Sequence, residues 1–296
     1  MIKITHKHLI VNNIEKVVRI LDIMYLRKLF LLLGLISFGC LGYGQVKDTM
    51  VTIGGVKIHV QISGKAGAPF VLVLHGGFQE IAEMKLQIKA LEPRYRVIAM
   101  DSRGHGRSSF VDSTLSYELF ARDAIQLLDK FKIKKAHVVG WSDGGITGLY
   151  LSFLYPNRIH SLTAIGVNTR PDTTALQPRI IANFRNWNNI KVAQKCSLLY
   201  PKHPTPKLFL AFAKRMGAMY QKYPDIADSQ LQKITCAVLF IFGEHDIVLP
   251  DHPTELNRKV LHSRLEVIPQ ATHYCPQTHP SVVNKLMMAF LESIPK

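Results

Sequence analysis

The chain predicts an α/β fold, a mostly parallel twisted sheet flanked by helices and carrying a helical cap insertion. Three observations predict it. From Val51 onward, short apolar runs of buried-strand length alternate with stretches of helical periodicity. One of those runs, residues 136–140, passes through a serine set between glycines directly into a helical stretch. Residues 168–233 break the alternation, as a cap over such a sheet would. Strands alternating with helices imply right-handed crossovers, and ligands then bind at the carboxyl ends of the strands.

The elements are justified in chain order. Residues 51–53 and 56–62 read as paired strands around Gly54-Gly55, and residues 70–74 are a fully apolar strand. A helix over 82–91, a strand over 95–100 and a helix over 116–130 follow. Residues 136–140 form the next strand, and the helix that opens at Gly144 ends at Pro156. Inside the cap, helices are expected at 178–188 and 207–222, with a proline-rich turn over 201–206. Residues 236–242 and 264–268 complete the strands, and 281–291 the helices.

Composition bounds the surroundings. The 296 residues are 47% hydrophobic, enough for a packed core, which excludes a disordered chain. The formal charge of +16 would suit nucleic acid or an anionic membrane surface. No RRM, zinc-finger, helix-turn-helix or P-loop signature accompanies it, so the expected partner is a small-molecule substrate, with loose association to an anionic membrane surface as a further reading. Cys40, Cys196, Cys236 and Cys275 include no C-x-x-C pair, so neither a metal site nor a disulfide framework is indicated.

The N-terminus reads as a leader. Met24-Tyr-Leu-Arg-Lys28 is a basic segment, and the apolar run over 29–41 has secretory length, short of the about 20 residues of a membrane span. Small residues Gly42 and Gly44 offer cleavage before Gln45. We therefore expect Met24 as the start, residues 1–44 as extension and signal peptide, and residues 45–296 as the domain, exported to the periplasm or beyond. A lipid on Cys40 is the minor alternative, as is a retained anchor. Without residues 1–44 the balance is 31 basic against 19 acidic residues, or +12. The three remaining cysteines then face an oxidising compartment, where buried apolar thiols are the expected reading.

The chemistry collects in the loops that follow strands. Gly140, Ser142 and Gly144 form G-x-S-x-G, a turn that lifts the serine Oγ above the sheet edge and needs almost no side chain two residues to either side. The helix behind it aims free N–H groups at the serine. After residues 70–74 comes His75-Gly-Gly-Phe78, whose N–H groups at Gly77 or Phe78, with that of Asp143, are candidates for an oxyanion hole. The loop from Asp101 to Ser108, Asp-Ser-Arg-Gly-His-Gly-Arg-Ser, reads as a tight structural turn rather than a place of chemistry. Asp246, in Gly243-Glu-His-Asp246, is the candidate carboxylate, with Glu244 the weaker one, and His273 is the candidate base. A histidine is more often a packing or surface residue. His273 rises above that because the order Ser142, Asp246, His273, each at a strand end, is a known hydrolase order.

From Val51 to the C-terminus the chain resembles the α/β-hydrolase superfamily, through His75-Gly-Gly, Asp101-x-Arg-Gly-x-Gly-x-Ser108, Gly140-Trp-Ser-Asp-Gly-Gly145, Gly243-x-x-Asp246 and His273. The Trp141-Ser-Asp-Gly-Gly-Ile146 form of the turn is similar to the biphenyl-hydrolase-like group that includes valacyclovir hydrolase. The resemblance implies a serine hydrolase of small carboxylic esters, amino-acid esters among them, working through an acyl-enzyme. It implies no metal or other cofactor, and it makes Asp143, with Trp141 beside it, a substrate-binding candidate that holds an ammonium group. Asp143 equally reads as a side chain bonded to its own helix N-terminus. The cap adds a conflict, since its eleven basic residues against three acidic ones favour anions. A carbon–carbon bond hydrolase of the same fold and a catalytically silent binding protein are the alternatives.

Overall fold

The computed structural model describes residues 43–295. The expected leader, its start at Met24 and Cys40 lie outside the described residues. Eight strands form one sheet: β1 (Tyr43–Ile53), β2 (Val56–Lys65), β3 (Phe70–Leu74), β4 (Arg96–Met100), β5 (Ala136–Trp141), β6 (Ile159–Ile165), β7 (Ala237–His245) and β8 (Ser263–Thr272). Their spatial order is β1-β2-β4-β3-β5-β6-β7-β8; β2 runs antiparallel to β4, and β4, β3, β5, β6, β7 and β8 are mutually parallel.

Helices cover both faces. Between β3 and β4 lies α1 (Lys85–Leu91), entered through a 3₁₀ turn at Ile81–Met84; between β4 and β5 lies α2 (Tyr117–Lys130); between β5 and β6 lies α3 (Asp143–Leu154). α2 starts at residue 117 because the Ser116 hydroxyl accepts the Leu119 N–H at 3.1 Å. It buries Tyr117, Phe120, Ala121, Ala124 and Leu128, a single stripe at helical spacing.

The central strands are apolar throughout because they are covered twice. In β3, Leu72 and Leu74 pack with α2 and α3, while Val71 and Val73 pack with α1 and the C-terminal helix. Burial of one such side chain stabilises the fold by about 1.5–3 kcal/mol.

Four helices occupy the segment between β6 and β7: α4 (Pro178–Arg185), α5 (Asn189–Leu199), α6 (Phe209–Tyr220) and the short α7 (Asp228–Leu231). α6 packs on α5 and presses Phe212 against Gly104 in the loop after β4, where a Cβ would collide with the Phe212 ring. The remaining helices are α8 (Asp251–Lys259) between β7 and β8, α9 (Cys275–Thr278) and α10 (Pro280–Ser293).

The structure adds what periodicity left out. β6 was not anticipated, because His160, Ser161 and Thr163 interrupt its apolar run; Ser161 is nonetheless buried, its hydroxyl 2.8 Å from His137 Nδ1 on β5. α5, α7 and α8 were also missed, and α9 intervenes between His273 and the last helix. Among the described residues, no helix is long and apolar enough to cross a membrane, and Cys196, Cys236 and Cys275 are free thiols.

The chain leaves β3 toward β4 on one side, then crosses to β5 on the other side of β3. The loops after β3 and β5 therefore start on adjacent strands and diverge, which opens a crevice at their carboxyl ends.

Candidate active site

Ser142 sits at that crevice in a strained conformation, φ 52° and ψ −119°, between β5 and the first turn of α3. Its own N–H donates to the Ile165 carbonyl at 2.8 Å, which ties the turn to β6. The flanking glycines are required by backbone contact. A Cβ on Gly140 would strike the Gly144 carbonyl, and one on Gly144 would strike the carbonyls of Leu74 and His75.

The three candidates of the triad come together. His273 Nε2 lies 3.0 Å from Ser142 Oγ, and His273 Nδ1 lies 2.7 Å from Asp246 Oδ1. Asp246 is 4% exposed, and its carboxylate also accepts the Val248 N–H at 3.2 Å and the Gly243 N–H at 3.4 Å, so its orientation is set by its own loop. Gly166, at φ +62°, passes so close that a Cβ there would lie 2.9 Å from the His273 ring. Glu244 is elsewhere. It is exposed and accepts the Gln270 N–H at 2.8 Å, a contact that holds β7 to β8.

The loop after β3 is oriented by His75. Its Nδ1–H donates to the Gly76 carbonyl at 2.7 Å and its Nε2 accepts the Ser102 N–H at 3.0 Å. Burial pushes its pKa down, which favours this neutral form. The Gly76 carbonyl also accepts the Gln79 N–H at 3.3 Å. A trans peptide directs its C=O and N–H oppositely, so the Gly77 N–H faces away from His75. Among the described residues neither the Gly77 nor the Phe78 N–H donates to an acceptor of the chain. The Asp143 N–H, first in α3, has no partner within the helix either.

Two substrate-binding expectations fare differently. Trp141 does not line the cavity. It is fully buried with the α1 and α10 side of the core, and its indole N–H donates to the His273 carbonyl at 2.9 Å. Alternation along β5 sends its side chain to the face opposite Val138, away from the cap. Asp143 does line the cavity. Its carboxylate caps no helix N–H; Oδ1 accepts the Tyr117 hydroxyl at 2.9 Å and Oδ2 the Tyr220 hydroxyl at 2.7 Å. Burial raises the Asp143 pKa above the ordinary carboxylate value, and the two phenol bonds oppose that rise. Burial and the carboxylate together push both tyrosines well above their ordinary range, so they remain donors.

The cavity over the serine measures about 290 Å³. Aromatic side chains form its cap side: Phe184 and Tyr220 stack at 5.1 Å, and Trp187 lies 5.6 Å from Phe78. Among the described residues no lysine or arginine lines it, so the basic residues of the cap do not face the serine. This removes the conflict between the cap's charge and Asp143. Nothing in the sequence marked Tyr117 or Tyr220 as partners of Asp143, because they are 26 and 77 residues away along the chain.

The loop after β4 is scaffold. Asp101 accepts from Ile81 N and Arg107 N at 2.7 and 2.9 Å and pairs with His59 Nδ1 at 2.7 Å, while Arg103 makes a buried two-point pair with Asp123 at 2.6 Å for each bond.

Comparison with known proteins agrees with this fold. Residues 69–196 match the family model described as alpha/beta hydrolase fold. The chain is 35% identical to 3-oxoadipate enol-lactonase 1 of Acinetobacter baylyi, over 84% of this chain and 99% of that protein. It is 29% identical to the human serine hydrolase BPHL, over 84% of this chain and 87% of that protein. The enol-lactonase structure from Burkholderia xenovorans LB400 superposes with a TM-score of 0.67 at 21% identity, over 83% of this chain and all of that one, which supports the fold. With its eight-stranded sheet, its strained serine turn and a relative 35% identical over 84% of its length, the chain belongs to the α/β-hydrolase family and is a hydrolase of that fold.

Proposed function

We propose that the protein is a serine-dependent carboxylic ester hydrolase that acts through an acyl-enzyme and accepts small amino-acid esters. The observation that carries this reading is the relay from Ser142 Oγ through His273 to Asp246, with separations of 3.0 and 2.7 Å.

In this mechanism His273 Nε2 takes the Ser142 proton as Oγ attacks the ester carbonyl carbon. Asp246 holds the imidazole in the tautomer that leaves Nε2 free to accept, and stabilises the imidazolium that forms. The N–H of Asp143 and that of Gly77 or Phe78 receive the oxyanion, each donor contributing about 3–4 kcal/mol to the tetrahedral intermediate. His273 returns the proton to the leaving alcohol, then activates water against the acyl-enzyme. This sequence consumes no cofactor.

The substrate class rests on Asp143. A carboxylate in a small aromatic cavity that no lysine or arginine among the described residues lines favours a substrate ammonium and repels an anion. The same charge disfavours the anionic dienoates that a carbon–carbon bond hydrolase would take. Similarity to the human serine hydrolase BPHL, at 29% identity, supports the serine chemistry.

The test is labelling with a fluorophosphonate, followed by turnover of a panel of short neutral and amino-acid esters. Labelling and turnover that disappear in Ser142→Ala support the proposal. A folded wild-type protein that neither labels nor turns over any ester would overturn it and favour a silent binding protein.

A further inference from the structure

Among the described residues Asp143 is the only carboxylate lining the cavity, and both of its oxygens are already engaged. The two donors come from different parts of the fold. Tyr117 opens α2 in the body, whereas Tyr220 closes α6 in the cap. The carboxylate thus joins cap to body at the edge of the site. A Cβ on Gly77 would collide with both the Tyr220 hydroxyl and Asp143 Oδ2, so this pair also packs directly against the loop that supplies the oxyanion donor.

Such a carboxylate has three possible states in a dry site: it protonates, it rotates toward water, or it is held charged by donors. Two phenols that remain protonated supply one charge-assisted hydrogen bond to each oxygen and prevent rotation. An ionised carboxylate keeps further lone pairs for a third donor. The titratable groups that face it are Tyr117 on α2, Tyr220 on α6 and His273 after β8. Among the described residues no lysine or arginine lines the cavity to neutralise it, which leaves that role to a cationic substrate.

We infer that Tyr220 and Tyr117 are positioning residues that fix Asp143 as a charged cation-binding group, so that the cap takes part in substrate selection through the Tyr220 hydroxyl. The inference rests on the proposal that Asp143 binds a substrate ammonium, and it assigns the control of that group to two tyrosines.

The experiment compares kcat/KM for methyl valinate and methyl 3-methylbutanoate, which differ by the amine, from about pH 4.5 to pH 7, where that amine is largely protonated. The ratio of the two cancels the titration of the triad, which acts on both esters, and reports the Asp143 charge. In the wild-type chain the ratio favours the cationic ester and falls as acid protonates Asp143. Tyr220→Phe removes one oxygen and little volume. It is expected to lower the ratio at pH 7 by about ten-fold, and to move the pH at which the preference is half lost upward. Tyr117→Phe removes the donor to the other oxygen and reads the same quantities should Tyr220→Phe fail to fold. A side chain that merely packs would change both esters together and leave the midpoint in place.

Two results overturn the inference and are distinguishable. If the wild type has no preference, or Asp143→Asn retains it, the cation-site reading fails and the inference fails with it. If Asp143→Asn abolishes the preference while both phenylalanine variants keep the wild-type ratio and midpoint, the cation site stands and the tyrosine role is refuted.

Discussion

Trp141 donates its indole N–H to the main-chain carbonyl of His273 at 2.9 Å, across the edge of the sheet from the residue it precedes, Ser142. Ser142 and His273 are thereby joined twice, through His273 Nε2 in the site and through Trp141 behind it. Trp141→Phe retains most of the buried area but leaves a buried carbonyl unpaired. We expect a stability loss of about 1–3 kcal/mol in urea unfolding and, because His273 loses its anchor, a fall in kcat of roughly ten-fold. A variant with wild-type kcat would show that the bond is structural alone.

The glycine at 144 admits no side chain, because the backbone carbonyls of Leu74 and His75 occupy the place of its Cβ. Backbone cannot give as a flexible side chain can. Gly144→Ala is expected to cost about 4 kcal/mol, at the upper end for a single substitution, and to yield little soluble protein. Circular dichroism and a denaturation curve on any soluble fraction check this.

Arg103 and Asp123 form a pair in which both side chains are at most 4% exposed. Removal of one partner strands the other charge in the core. Asp123→Ala is therefore expected to destabilise the fold by about 3–5 kcal/mol, a loss readable as a lower urea midpoint.

Acid should unfold the protein through its buried histidines. Burial holds His105 at about 3, and His137 and His252 at about 4, against an ordinary value of 6.5. The unfolded chain therefore binds protons before the folded one does as the pH falls. Stability is complete above about pH 6.5 and is lost progressively toward pH 4, by about 1.4 kcal/mol per pH unit for each group. His59, held by Asp101 and Asp48, is raised and acts in the opposite direction, but burial also lowers His75 and His203, so it is one histidine against five. Urea midpoints at two acidic pH values measure the slope. His137→Asn, which keeps a partner for the Ser161 hydroxyl and removes one proton site, should reduce it.

Local order along the chain was enough to reveal the strand, the strained turn at Ser142 and the succession of Ser142, Asp246 and His273. Each depends on short-range chemistry: an apolar run buried on both faces, two glycines that must clear a backbone, and loops that follow strands. β6 escaped because its polar side chains find partners only across the sheet, as Ser161 does with His137. The role of Trp141 was misread for a related reason. The resemblance grouped it with Asp143 as substrate-binding, but strand alternation sends successive side chains to opposite faces, and Trp141 turns to the core. The tertiary structure alone decided what surrounds Asp143. Tyr117 and Tyr220 reach it from a body helix and a cap helix, and the cap's lysines and arginines are absent from the cavity wall. Contacts between residues far apart along the chain arise only when separate elements pack, and no periodicity within one element records them.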